Sequence, residues 1–156
     1  TMSVNVLRPE SRGNIHIKSS SPHDAPHINF NFLSTQIDTD TLLLALRKGR
    51  ELMLAEPISN YVEEEIAPGN DLETDEEILT WVRNTAETTY HPVGTCKMGN
   101  DANAVVGADL KVHGLDGLRV ADASIMPTLT SGNTNAPSIM IGEKCSDMVL
   151  ETAKLN

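Results

Sequence analysis

His91 sits in the run Tyr90-His91-Pro92-Val93-Gly94-Thr95-Cys96-Lys97-Met98-Gly99. An imidazole exchanges protons near neutrality, so it serves as acid or base wherever the chain holds it still. Pro92 restricts the backbone of His91 to extended geometry, and Gly94 lets the chain turn close behind it. His91 is therefore the candidate general base, on the stiff segment that proton transfer over hydrogen-bond distance requires. Further along, Gly132-Asn133-Thr134-Asn135 precedes an apolar-periodic run. Asparagine in that position has two readings that spacing leaves even. It caps the helix, or its amide donates to a ligand oxygen whose negative charge the helix end favours. Asp122 closes the run Val120-Ala121-Asp122-Ala123-Ser124, where it either caps a turn or accepts hydrogen bonds from ligand hydroxyls. Ala123 leaves room for a phosphate to approach the backbone. His23 and His27 are four apart, but Pro22 and Pro26 break the helix that spacing needs, and no third ligand follows. No metal site is expected. His16 and His113 lie on alternating runs and are expected to face solvent.

The elements that must position these residues follow from periodicity. Residues 15–18 and 28–33 alternate apolar and polar positions, which predicts two half-buried strands. They belong to one antiparallel sheet, because nothing between them is long enough for a crossover helix. A further short strand is expected at residues 4–7. A helix is expected over 38–56, capped by Asp38, Thr39 or Asp40. Leu42, Leu46, Gly49 and Met53 form its inner stripe, which Leu43 and Leu54 widen, and Pro57 ends it. Thr74 and Glu77 form a capping-box pattern that opens a second helix, in which Ile78, Val82 and Thr85 share a face with Trp81. After Thr89 glycines punctuate short apolar runs, and residues 110–113 and 118–121 are expected as short strands. A final helix carries Pro137 in its first turn and an apolar face of Ile139, Ile141, Cys145, Met148 and Val149. The expected fold class is α+β: an antiparallel sheet backed by helices over residues 1–89, followed by a segment, 90–156, carrying the candidate site.

With 156 residues, 39% of them hydrophobic and 22% charged, the chain is large enough for a hydrophobic core and is not of disordered type. Its net charge is −10, with no basic cluster beyond Arg47, Lys48 and Arg50, which disfavours nucleic acid and anionic membrane as partners. Cys96 and Cys145 belong to no ligand or disulfide pattern, and free thiols fit a reducing compartment. The expected location is the cytoplasm or the cytoplasmic side of a membrane. No run approaches the roughly 20 apolar residues of a membrane span.

Together these stretches resemble the C-terminal part of the glucose–methanol–choline (GMC) family of flavin-dependent alcohol oxidoreductases, and among them the choline dehydrogenase-like and alcohol dehydrogenase-like branch. The matching runs are residues 91–99, Leu118-Arg119-Val120-Ala121-Asp122-Ala123-Ser124-Ile125-Met126-Pro127, and Asn133-Thr134-Asn135-Ala136-Pro137 continuing to Gly142-Glu143-Lys144. Leu7-Arg8-Pro9 with Ser11-Arg12-Gly13 also resembles the start of the family's C-terminal region. The resemblance implies that His91 takes the alcohol's hydroxyl proton, that Asn133 contacts the substrate oxygen, and that hydride passes to flavin N5. It implies further that Asp122 and Ala123 meet the ribityl and pyrophosphate part of FAD. Asn135, Ala136 and Pro137 would lie near the flavin pyrimidine edge. An electron acceptor, oxygen or quinone-type, would re-oxidise the flavin. The chain contains no GxG, so the dinucleotide-binding domain that opens with GxGxxG is expected elsewhere, in a chain several times longer. Residues 90–156 would complete that FAD domain. The segment alone is expected to be inactive, and its exposed pocket surface to favour homo-oligomers. The alternative is a non-catalytic binding or scaffold module that keeps the family's pattern.

Overall fold

A computed structural model describes residues 1–154, and the chain divides into two compact units, Thr1–Thr88 and Thr89–Asn156. In the first unit, β1 (Asn14–His16) pairs antiparallel with β2 (His27–Asn29), placing Ile15 opposite Ile28 and His16 opposite His27. The antiparallel pairing is as expected, but each strand is three residues long and exposed throughout. An isolated two-stranded ribbon covers neither of its faces, so the alternation buries nothing here. Ile17, Phe30 and Phe32, expected within the strands, lie beyond their ends and exposed, with the two rings stacked 5.0 Å apart. Gly13 is dictated by the pairing, because a Cβ there would lie 2.1 Å from the Asn29 carbonyl oxygen. The strand expected at residues 4–7 does not form. Lacking a partner strand, that segment lays Met2 and Val4 side chains against Gly49 instead.

Helix α1 spans Gln36–Leu54 and begins earlier than expected, because Thr35 is its cap and accepts from the Asp38 amide. Asp38, one of the residues expected to cap, is buried and faces another task. Its carboxylate accepts from the Glu10 and Ser11 amides, each at 2.8 Å, and from the Ser11 hydroxyl. Leu42, Leu43, Leu46, Gly49 and Met53 form the inward stripe, whereas Leu54 at the frayed end is exposed. The helix α2 spans Asp75–Thr85 with the capping box of Thr74 and Glu77 complete, and it buries Ile78 and Val82. Arg47 of α1 pairs with Asp75 at the start of α2. Arg50 holds the connection between the helices: its guanidinium meets the Glu65 carboxylate and the Gly69 and Leu72 carbonyls.

The second unit packs short segments rather than a sheet. Residues expected as strands at 110–113 and 118–121 make single bridges only, Val106 with Val112 and Lys111 with Arg119, because the turn through Gly114 and Gly117 leaves each run too short to extend a ladder. Val106, Leu110, Ile125 and Met126 form the core together with Ile141 of α3 (Asn135–Lys154). On α3 the packed residues are Ile141, Cys145 and Met148, spaced four and three apart as one helical face requires. Ile139 and Val149, expected on that face, are exposed. Ile139 is two residues from Ile141, which puts it on the opposite side of the helix. Among the described residues the fold is thus α+β, a small antiparallel sheet with three α-helices. Among the described residues no helix is long and apolar enough to cross a membrane.

Candidate active site

The segment bearing His91 is fastened along its length. Gly94 adopts φ +89°, and a Cβ there would press to 3.3 Å on the Met126 carbonyl oxygen. The Lys97 amide closes a turn onto the Gly94 carbonyl at 3.2 Å. The amides of Cys96 and Met98 donate to the carbonyls of Ser124 and Ile125 at 3.0 and 2.7 Å. The run after His91 is thereby laced to the turn that follows Asp122. Two non-glycine residues in the left-handed region, Tyr90 (φ 61°) and Ser131 (φ 62°), stand just before His91 and before Gly132-Asn133. Such backbone costs on the order of 1 kcal/mol per residue and collects at functional sites.

These two approaches bring His91 and Asn133 together. The Asn133 amide nitrogen Nδ2 lies 2.9 Å from His91 Nε2. An amide N–H only donates, so this contact is a hydrogen bond in the tautomer that leaves Nε2 bare. The other ring nitrogen, Nδ1, lies 3.0 Å from Thr134 Oγ1. Asn133 is exposed, His91 half-buried and Thr134 buried at 8% exposure, so the imidazole is open on the Asn133 side and sealed on the other. Chemically, this is an accepting nitrogen and a neutral donor presented side by side at an exposed edge.

Thr134 was not among the residues picked out from sequence. Its position between two asparagines pointed the other way: in an extended run alternate residues face opposite sides, and asparagine carried the more familiar signal. Thr134 also occupies the cap position of α3, its carbonyl accepting from the Ser138 amide at 3.0 Å and the Ser138 hydroxyl at 2.6 Å. Asn133 therefore contacts the histidine, and the cap carbonyl belongs to its neighbour.

The other candidates lie on two elements. Asp122 caps the 3₁₀ turn Ala123–Ile125, one carboxylate oxygen accepting from the Ser124 amide at 2.7 Å, while the side chain stays exposed. Ala123 is half-buried against the core. Asn135, Ala136 and Pro137 form the first turn of α3, and Asn135 and Ala136 are exposed. First-turn amides have no acceptor within their helix, and no acidic side chain occupies that turn. Nearby cationic charge is already committed: the Lys97 ammonium sits 2.9 Å from both oxygens of Asp101. That hydrogen bond, with the Asn103 amide, holds the Asp101 carboxyl below its ordinary range.

Comparison with known proteins agrees with this architecture. Over 146 residues the chain is 51% identical to the oxygen-dependent choline dehydrogenase of Escherichia coli O45:K1 (strain S88 / ExPEC), covering 94% of this chain and 26% of that protein. It thus spans about a quarter of the length of the curated relatives it matches. Among solved structures it superimposes on pyridoxine 4-oxidase from Mesorbium loti with TM-score 0.85 and 34% identity, covering 90% of this chain and 28% of that one. It superimposes on an FAD-dependent oxidoreductase from Chaetomium thermophilum with TM-score 0.89 and 34% identity, covering 95% and 26%. The family described as GMC oxidoreductase matches residues 9–142. The chain belongs to the GMC oxidoreductase family.

Proposed function

We propose that this chain supplies the proton-transfer pair and one wall of the flavin site of an FAD-dependent alcohol oxidoreductase. The observation that carries the reading is the side-by-side placement of His91 Nε2 and Asn133 Nδ2, 2.9 Å apart at an exposed edge. One alcohol oxygen set within hydrogen-bond distance of both would replace their direct contact. The hydroxyl O–H bond then breaks toward His91 Nε2, which gains the proton. The oxygen left behind carries developing negative charge, and the Asn133 amide donates to it. Both groups reach that oxygen without rearranging the backbone, since stiffened segments carry them.

The residues expected to hold FAD fit it in kind. The exposed first turn of α3 offers the Asn135 and Ala136 amides and the positive end of a 20-residue helix to an electron-rich carbonyl edge. Asp122 keeps its carboxylate exposed for a hydroxyl, and Ala123 adds no bulk beyond a methyl group. FAD, when bound, supplies the acceptor for the hydrogen and two electrons that leave the carbinol carbon. The dinucleotide-binding part, the rest of the alcohol pocket and an oxygen or quinone-type acceptor lie outside this chain. Similarity to a choline dehydrogenase points to choline-like alcohols, and the net charge of −10 sets no barrier to a cationic substrate.

The test is anaerobic mixing of the FAD-loaded protein carrying this segment with choline and with simple primary alcohols, following flavin absorbance. Bleaching by choline at lower concentration than by uncharged alcohols is expected. Persistent oxidised flavin with every alcohol would reject the reading.

A further inference from the structure

We infer that Thr134 is a positioning residue that fixes the proton of neutral His91 on Nδ1, so that Nε2 is the bare, accepting nitrogen. The inference rests on the reading of His91 as the base, and it assigns the device that makes the correct nitrogen basic.

A threonine hydroxyl either donates or accepts, so the 3.0 Å contact between Nδ1 and Oγ1 admits two arrangements. In one, Nδ1–H donates to Oγ1. In the other, the hydroxyl donates to a bare Nδ1, and the ring proton moves to Nε2. The second arrangement turns Nε2–H against the Asn133 Nδ2 amide, donor against donor at 2.9 Å. With the Asn133 amide nitrogen facing Nε2, only the first makes both bonds. The backbone that carries the hydroxyl is held, because the Thr134 carbonyl accepts from both the amide and the hydroxyl of Ser138 in the first turn of α3. Thr134 is buried at 8% exposure, so water has little access to compete for its hydroxyl. A ring nitrogen's protonation follows the hydrogen bond that the other nitrogen makes, and here the two partners are consecutive residues. Free histidine in water prefers its proton on Nε2. Without the Thr134 hydroxyl, Nδ1–H would lose its acceptor and the ring would favour the form with its proton on Nε2, the Asn133 amide turning its oxygen toward that N–H.

The side chain is well suited to a clean test, since valine keeps its shape and removes only the hydroxyl. The tautomer is read from the ring ¹⁵N shifts of His91 by solid-state NMR of FAD-loaded protein labelled with [¹⁵N]histidine. The pH is set where the ring is neutral, and the His91 signals are assigned by their loss in His91→Gln. The wild type is expected to show a protonated Nδ1 and a bare Nε2. Thr134→Val is expected to move the proton to Nε2, and Thr134→Ser to behave as wild type. In turnover, Thr134→Val should lower kcat by about tenfold or more with KM little changed, short of the about 100-fold or greater loss of removing a general base, and serine should restore it. A wild-type ring protonated on Nε2 would overturn the inference with no variant required. So would an unchanged Nδ1–H form in a folded Thr134→Val protein. The reading of His91 as base fails separately, if His91→Gln turns over alcohol at the wild-type rate whatever the tautomer.

Discussion

Asn133 and Thr134 take hold of the two nitrogens of one imidazole from adjacent positions in the chain, a buried hydroxyl on Nδ1 and an exposed amide on Nε2. The arrangement separates two tasks that a single residue performs poorly, holding the ring and meeting the substrate. On this account Asn133→Ala leaves the histidine in place but removes a donor to the developing alkoxide. Turnover of the FAD-loaded protein should fall by about 100-fold or more, the scale of losing one oxyanion donor, and the ring also loses the donor that disfavours a proton on Nε2. Steady-state kinetics beside the ¹⁵N spectrum checks both halves. His91 and Asn133 were legible in sequence because a histidine between a proline-restricted and a glycine-turned segment, and an asparagine before a helix, each carry a local signal. Thr134 was not. Its partner is 43 residues away, and threonine beside a helix start reads as a cap. Asp122 shows the capping half of its sequence reading, with one oxygen accepting from the Ser124 amide and the side chain still exposed.

At the scale of elements, the capping box of α2 was legible to the residue because the pattern is entirely local. The start of α1 was not, since Asp38, one of the three expected caps, is engaged by residues 10 and 11 far earlier in the chain. Burial alone would raise the Asp38 pKa, but hydrogen bonds from the Ser11 hydroxyl and the Glu10 and Ser11 amides outweigh it and leave the carboxyl below its ordinary 3.8. A carboxyl depressed on folding stabilises fully above its unfolded pKa, and that contribution is lost as pH falls through the folded value. The carboxyls of Asp101 and Asp109 are depressed in the same direction. Stability should therefore hold from neutrality to about pH 4 and fall below it. Asp38→Asn leaves a backbone donor facing an amide donor, and should cost about 2 kcal/mol at neutral pH while flattening the acid fall. Urea midpoints measured between neutral and acid pH for both proteins decide this. The short strands of both units were over-read from sequence. Alternation reports which residues could be half-buried, and a ribbon with no covering layer leaves them exposed.

For the whole molecule, family membership accounts for features that the chain alone does not explain. Ile17, Phe30 and Phe32 in the first unit and Ile139 and Met140 in the second are exposed, more apolar surface than a self-sufficient small domain usually shows. The chain also spans only about a quarter of the relatives it matches. As an isolated polypeptide it is expected to self-associate, with a sedimentation coefficient that rises with concentration, and to oxidise no alcohol when FAD is added. A monomer at all concentrations, or alcohol oxidation by the isolated chain, would contradict that expectation. The central claim is that His91 is the base of alcohol oxidation, and stopped-flow reduction of the flavin by alcohol addresses it before any acceptor acts. In the FAD-loaded protein, His91→Gln should slow flavin bleaching by about 100-fold or more at saturating alcohol. Bleaching at the wild-type rate would contradict the account and remove His91 from the chemistry.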